Sequence, residues 1–422
     1  MTGAPGRGAP AARTTSLTLI LLALFGTLAV GVVMKAPCIS GNWSDGRQYR
    51  LLCYTDLVPL FGTEHLEGER LPFLDPCPAG EAQCDEYPVL TMWVMRAAAW
   101  PADDATSFFA LNTFLLTAAA VVTAVALYMA VGRRALYFAL APTLAIYAFT
   151  NWDMIAVAFG AVGTLLYLRR RDAWSGVMLG LGGAAKLYPL LLVVPFVAGR
   201  FRRKDPDGGI HLAWGAAGAW LLINVPFAVL ATSGWFRFFS FNSARQPDWD
   251  SLWFIGCHRI TGELSCPEGM TPLVNLASAL LFVGLAALVW RLRARRFPRF
   301  PRWTLGFPLI VLFLLTNKVY SPQYGLWLLP WFALALPSWR LFALFEAADI
   351  AVFATRFWWF GNFTDTGGFA EHVGFGAFEI AVLARAAILV ACVVVWIRQA
   401  EPLPDEDDDA ETEPAAPDEV AA

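Results

Sequence analysis

Charge is scarce in this sequence. Asp, Glu, Lys and Arg make up 15% of its 422 residues against 57% hydrophobic residues, and the mean hydropathy is +0.52. A soluble chain of this length would form about two or three domains of roughly 100–200 residues, whose surfaces need more charge than is present. That reading is excluded, and nothing in the composition points to a nucleic-acid partner. Histidine is scarcer still: the four present do not accompany Cys38, Cys53, Cys77 and Cys84 at ligand spacing, which weighs against a zinc site there. The sequence calls for no metal and no cofactor. Lys and Arg are missing altogether after Arg398, where ten carboxylates follow, so the formal −3 of the whole chain becomes +7 once those ten are set aside. That acidic, Pro-rich stretch (399–422) has too little apolar mass to offset the entropy of ordering it, and is expected to be a disordered cytosolic tail.

What the chain has in quantity is apolar length. A run of about 20 apolar residues crosses a bilayer as a helix, because only internal hydrogen bonds satisfy the backbone there. This predicts an all-α polytopic membrane protein over 17–398, preceded by a short basic tail (1–16). Spans are expected near 17–34, 107–131, 135–150, 152–168, 174–186, 188–199, 211–232, 271–290, 303–317, 322–336, 341–356 and 377–397. The pairs 135–150/152–168, 174–186/188–199 and 303–317/322–336 read as tight hairpins. A cleaved signal peptide is the rival reading of 1–36, but the run from Leu17 to Met34 is long enough to span. With the amino end inside, every inner turn is basic, from GRR (132–134) and GRFRRKD (199–205) to RLRARRFPRFPR (291–302), as short cytoplasmic loops are. The expectation is a multi-pass plasma-membrane protein with both termini cytosolic.

The loops left outside (35–106, 233–270 and 357–376) are long, and six of the seven cysteines fall in them, on the side where disulfides persist. Four in the first loop allow three pairings; Cys77 with Cys84 is favoured by proximity, and Cys257 with Cys266 is nearly forced. Function is therefore sought on that face. In CYTDLVPLF (53–61), Asp56 stands among apolar neighbours, where partial burial suits a base. QCDEYPVLTMWVM (83–95) sets Glu86 against an apolar stretch, with Asp85 read as solvated. TNWDM (150–154) puts Asp153 at a hairpin tip, as a helix cap or a site residue. GGAAKLYPLL (182–191) holds Lys186 between apolar runs, where an ammonium snorkels or meets an anion. TNKVYSPQYGLWLLPW (316–331) crowds Lys318, Gln323 and Tyr324 in the same way. FNSARQPDWDSLWFIGCHRITG (241–262) adds Arg245, His258 and Arg259 among aromatics, a mixture suited to sugars or lipid headgroups. Estimated depths pair Asp349 with Arg385 and Arg356 with Glu379 as interhelical ion pairs.

YTDL after the first span, EYPVL, the GxxxGLGGAAKLYPLLL hairpin (176–192) and NKVYSPQYGLWLLP (317–330) resemble glycosyltransferase family 87. That family belongs to the membrane-embedded GT-C class and includes polyprenol-phosphate-mannose-dependent α-mannosyltransferases. The resemblance covers roughly residues 15–398. It implies a GT-C-like bundle of about twelve transmembrane helices with amphipathic helices in the first outer loop. It further implies transfer of a sugar, mannose foremost, from a polyprenyl-phosphate donor to an envelope glycolipid or glycan, extracytoplasmically and with inversion. Asp56 occupies the family's base position. Lys186 and Lys318 would meet the donor phosphate, with Tyr188, Gln323 and Tyr324 nearby, leaving Glu86, Asp153, Arg245, His258 and Arg259 as candidate acceptor or sugar contacts. The cysteine-rich first loop and YPV, where many relatives have YPP, depart from the family pattern and bear on the acceptor. A flippase or transporter of lipid-linked sugars, or a noncatalytic envelope-assembly protein, stays open beside the enzyme; the long outer loops favour the enzyme.

Overall fold

The computed structural model describes residues 10–41, 43, 45–78, 84–364 and 373–400. The acidic tail beyond 400, residues 1–9 and part of the 357–376 loop lie outside them. Among the described residues every regular element is helical. Five helices are long and apolar enough to cross a membrane: Leu17–Ile39, Ala105–Ala139, Pro206–Leu230, Thr271–Arg296 and Phe375–Arg398. The first continues a helix that begins at Pro10, where a tail was expected.

Several of the remaining apolar runs are broken into shorter pieces. Residues 135–150 form a 3-10 turn, Gly132–Ala135, and two short helices, Leu136–Ala139 and Pro142–Tyr147. The run from 188 divides into a 3-10 turn, Tyr188–Leu192, and the helix Val193–Arg202. Residues 322–336 likewise divide into a 3-10 turn, Pro322–Trp327, and the helix Leu329–Leu334. A proline stands in the first two positions of four of these pieces, where its missing N–H and fixed φ allow a new helix but not continuation of the old one. Such broken helices are tolerated at membrane depth only where protein surrounds them, and residues 143–150 and 325–336 are buried throughout. The helices Asp153–Leu168 and Gly306–Thr316 and the Pro322–Trp327 turn are buried along most of their length.

Close approach between helices comes from small residues. A Cβ at Gly176 or Gly180, in the helix Asp172–Ala185, would run into the backbone of Leu212 and Ala216 in the long helix beside it, a small-xxx-small contact. The short helix Pro142–Tyr147 is capped from a distance. Glu346, in the helix Trp339–Gly361, accepts from the Thr143 backbone N–H at 2.8 Å and from its hydroxyl at 2.9 Å.

The segment between the first two long helices carries three helices of its own, Arg47–Arg50, Leu57–Thr63 and Val89–Ala99. Disulfides tie Cys38 to Cys53, Cys77 to Cys84 and Cys257 to Cys266. Cys77 and Cys84 lie close to Asp85 in the one metal-ligand-like grouping among the described residues, but both sulfurs are bonded to each other. Of the two ion pairs expected by depth, Asp349 and Arg385 meet at 2.9 Å. The other does not form. Arg356 binds Asp250 at 2.6 Å and Asp248 at 3.3 Å, while Glu379 is taken by Arg259. The 245–251 segment supplies acids to helices that depth alone had paired with each other.

Candidate active site

The stretch that carries Asp56 is sewn to a hairpin tip nearly a hundred residues away. The Asp56 N–H donates to Thr150 O at 2.8 Å, and the Thr55 hydroxyl donates to Phe149 O at 2.8 Å. Lys35 bridges the two strands of chain, donating to Tyr54 O and, at 3.1 Å, to the Thr150 hydroxyl. The Cys38–Cys53 disulfide holds the same stretch to the end of the first helix. Asp56 then begins the helix Leu57–Thr63 without capping it through its side chain, so the carboxylate stays available. Tyr54 donates to its Oδ1 at 2.5 Å and Asn151 to its Oδ2 at 2.8 Å. Asn151 gives its other amide proton to the Tyr87 hydroxyl at 2.6 Å. Burial raises the Asp56 carboxyl above the usual carboxylate range; the two hydrogen bonds and the charges of Lys186 and Arg356 offset that only in part.

Asp56 opens onto a cavity of about 660 Å³, within the range of small-molecule sites. Residues 56, 59, 60, 63 and 64 all line it; spacings of three and four put them on one face of a helix. Glu64, at the far end of that face, accepts from the backbone N–H of Asp85 at 2.6 Å and of Glu86 at 3.3 Å. Burial, with help from the neighbouring Glu86 carboxylate, pushes its carboxyl up to about 8. Burial also raises Glu86, and Arg245 draws it back.

The opposite wall is basic and aromatic. Lys186 follows the last turn of Asp172–Ala185 in extended conformation and reaches Asp153 at 3.5 Å. Its ammonium lies over the rings of Tyr87 and Tyr324, 4.8 and 5.2 Å from their centroids. Behind it Tyr188 and Tyr324 stack on Trp327, 4.3 and 4.1 Å between centroids. Trp327 donates to the other Asp153 oxygen at 2.7 Å. Asp153 is wholly buried and does not line the cavity; it neither caps its helix nor faces a ligand, but holds Lys186 and Trp327 in place.

Most of the residues singled out from sequence converge here: Asp56, Glu86, Lys186, Tyr188, Arg245, Lys318, Gln323 and Tyr324 all line the cavity. Two do not. Arg259 is committed to Glu379, and His258 packs on Phe375 with centroids 4.2 Å apart and its Nδ1 2.9 Å from Glu263 O. Asp85, read as solvated, is buried and paired with Arg70 at 2.6 Å; it accepts from the Phe73 N–H as well. Lys318 lines the cavity, but its ammonium donates to Ser243 O at 3.0 Å and Arg245 O at 2.8 Å. Tyr54, Glu64, Asn151, Asp248 and Arg356 were not picked out in advance. Tyr54 and Asn151 each stand two residues from a noted aspartate. Asp248 lies in the 241–262 stretch read as suited to sugars or lipid headgroups, and Arg356 was noted only as a partner for Glu379. Arg356 and Arg245, with hydrogen bonds from Ser321 and Trp249, overcome the burial of Asp248 and hold it below the usual carboxylate range.

The described residues thus form a helical membrane protein whose cavity has a shielded carboxylate on one wall and cations on the other. A model of glycosyltransferase family 87 matches residues 87–317, more than half of the 422, and the chain belongs to that family: it is a membrane glycosyltransferase. None of the curated proteins matches it. The match spans Asn151, Asp153, Lys186 and Arg245 but starts after Asp56 and ends before Lys318, so for those two the argument is geometric.

Proposed function

We propose that this enzyme transfers mannose from a polyprenyl-phosphate donor to a hydroxyl of an envelope glycolipid or glycan, on the extracytoplasmic side of a multi-pass bundle and with inversion. The observation that carries the reading is a single cavity joining Asp56 to the cationic and aromatic wall around Lys186. The acceptor O–H gives its proton to Asp56 as its oxygen bonds to the sugar's anomeric carbon. The carbon–oxygen bond to phosphate breaks on the opposite face, and the electron pair leaves with the lipid phosphate. Charge gathers on that phosphate in the transition state, where preorganised cations stabilise most. Lys186 serves there, with Tyr188, Gln323 and Tyr324 shaping the pocket. The basic turns on one side and the disulfides in the segments opposite support the orientation.

Purified wild-type and Asp56→Asn proteins, given radiolabelled polyprenyl-phosphate mannose and an envelope glycolipid extract, test the reading. Loss of a general base lowers kcat by about 10²–10⁴-fold. Equal transfer by both proteins removes Asp56 from the chemistry. Transfer by neither, with sugar-lipid crossing proteoliposomes, replaces the enzyme with a transporter.

A further inference from the structure

Lys318 and Arg245 exchange the roles their residue types would give them. Lys318 is 4% exposed, and its ammonium is turned to the end of the aromatic helix Thr232–Ala244, where it donates to the carbonyls of Ser243 and Arg245. The last carbonyls of a helix lack partners within it, and a cation is well placed there. With two of three ammonium protons engaged, one at most remains for a ligand. The clasp closes a few residues on. The Asp248 N–H donates to Lys318 O at 2.8 Å, and the Ser321 hydroxyl donates to the Asp248 carboxylate at 3.0 Å. Arg245, in extended conformation between these two fastenings, lines the cavity. Its guanidinium lies 5.6 Å from the Phe241 ring centroid and makes no ion pair with any described residue. Five donors in a planar fork match a phosphate monoester in two-point fashion.

We propose that Arg245 is a ligand of the departing lipid phosphate, and that Lys318 is a positioning residue that acts through it by fixing the 243–248 segment. This rests on the donor reading above but not on Asp56. The test is equilibrium binding of farnesyl phosphate to the detergent-solubilised full chain, with farnesol as the phosphate-free control. Arg245→Gln weakens farnesyl phosphate about tenfold or more and leaves farnesol unchanged. Lys318→Gln does the same in lesser degree, and Lys318→Arg, which still donates to carbonyls, restores most of the loss. The decisive arm is the double variant. If Lys318 works through Arg245, the Arg245→Gln/Lys318→Gln protein binds no more weakly than Arg245→Gln alone; additive losses make Lys318 a ligand in its own right and overturn the assignment. Wild-type affinity in Arg245→Gln overturns it too, as does an equal loss of farnesol. Inorganic phosphate competing as well as farnesyl phosphate makes this a free-anion site and equally defeats the proposal. Asp56→Asn keeps farnesyl phosphate binding whether or not Asp56 is the base, so the two readings fail separately.

Discussion

Tyr54→Phe tests the base without removing it. The Tyr54 hydroxyl donates to Asp56 Oδ1 at 2.5 Å, while its ring stacks on Phe357 with centroids 4.3 Å apart. Phenylalanine keeps the stacking and loses only the donor. A hydrogen bond to a charged group is worth about 1.5–3 kcal/mol, and about 1.36 kcal/mol corresponds to one pH unit of titration. The cavity is open enough for water to replace part of the loss, so the lower half of that range applies. The donor stabilises the carboxylate, so its removal raises a carboxyl that burial already holds high. The base must be deprotonated to act. The acid limb of kcat/KM against pH therefore moves upward by roughly one to two pH units, and on the acid side of both limbs the rate falls about tenfold or more. Above both limbs the rate equals or exceeds wild type, since a stronger base is the better proton acceptor. The assay is initial-rate mannosyl transfer from labelled donor across the pH range. An unmoved limb, or a loss uniform with pH, refutes the assignment of Asp56 as the titrating base.

Three further outcomes are expected. Asp349→Leu strands the buried Arg385 and costs about 3–5 kcal/mol, read as a lower thermal midpoint in detergent; the exchange Asp349→Arg with Arg385→Asp recovers only part, because Arg385 also lies 3.6 Å from Asp250 and a carboxylate there meets another. Full recovery would show that Asp250 is not coupled to the pair. Glu64, with a folded-state value of about 8 against an ordinary 4.5, holds a proton in the folded protein that the unfolded chain has released. Stability therefore falls as pH rises from about 4.5 to about 8; Glu64→Gln flattens that slope in melts followed across pH, and an unchanged slope excludes Glu64 as its source. Cys53→Ser releases Cys38, and removing such a link costs about 2–5 kcal/mol. It also lowers kcat more than it alters donor KM, because it loosens the stretch carrying Asp56; a change confined to donor KM would place that stretch elsewhere.

The parts of this architecture legible in sequence were those fixed by local chemistry. Cys257 and Cys266, nine residues apart, had little choice of partner. Asp349 and Arg385 were legible by depth because their two helices pack side by side. The same argument failed for Arg356 because depth along a helix says nothing about which way a side chain faces, nor about a loop that folds in to supply Asp248 and Asp250. Of the twelve expected spans, five are helices long and apolar enough to cross among the described residues, and several others differ for a related reason. Apolarity reports removal from water, not what replaces it: protein encloses most of the 135–150 and 322–336 runs, whereas 188–199 is enclosed only in part. Their prolines were the available sign that they break. His258 and Arg259 were read as site residues from a stretch whose aromatics divide: Phe241 and Trp249 line the cavity, while Phe254 packs beside His258 in a separate cluster with Trp359 and Phe375.

The broken helices explain why polar residues near the cavity divide into two kinds. Each break leaves backbone groups without partners, and in an apolar bundle these must be met by side chains. Glu346 meets the start of Pro142–Tyr147, the Thr91 hydroxyl donates to Ala185 O at 2.7 Å, and Lys318 meets the end of Thr232–Ala244. Such residues look functional in sequence because a buried charge is costly anywhere, yet their hydrogen-bonding capacity goes largely to the backbone. Asp56, Glu86 and Arg245 differ in that the fold fixes their main chains through other residues, respectively Thr150, Glu64 and Lys318. A buried charge points to chemistry where its own head group is left over once the backbone is satisfied. By that criterion we propose Asp56 and the cations facing it as the reacting groups, with Lys318 in their support.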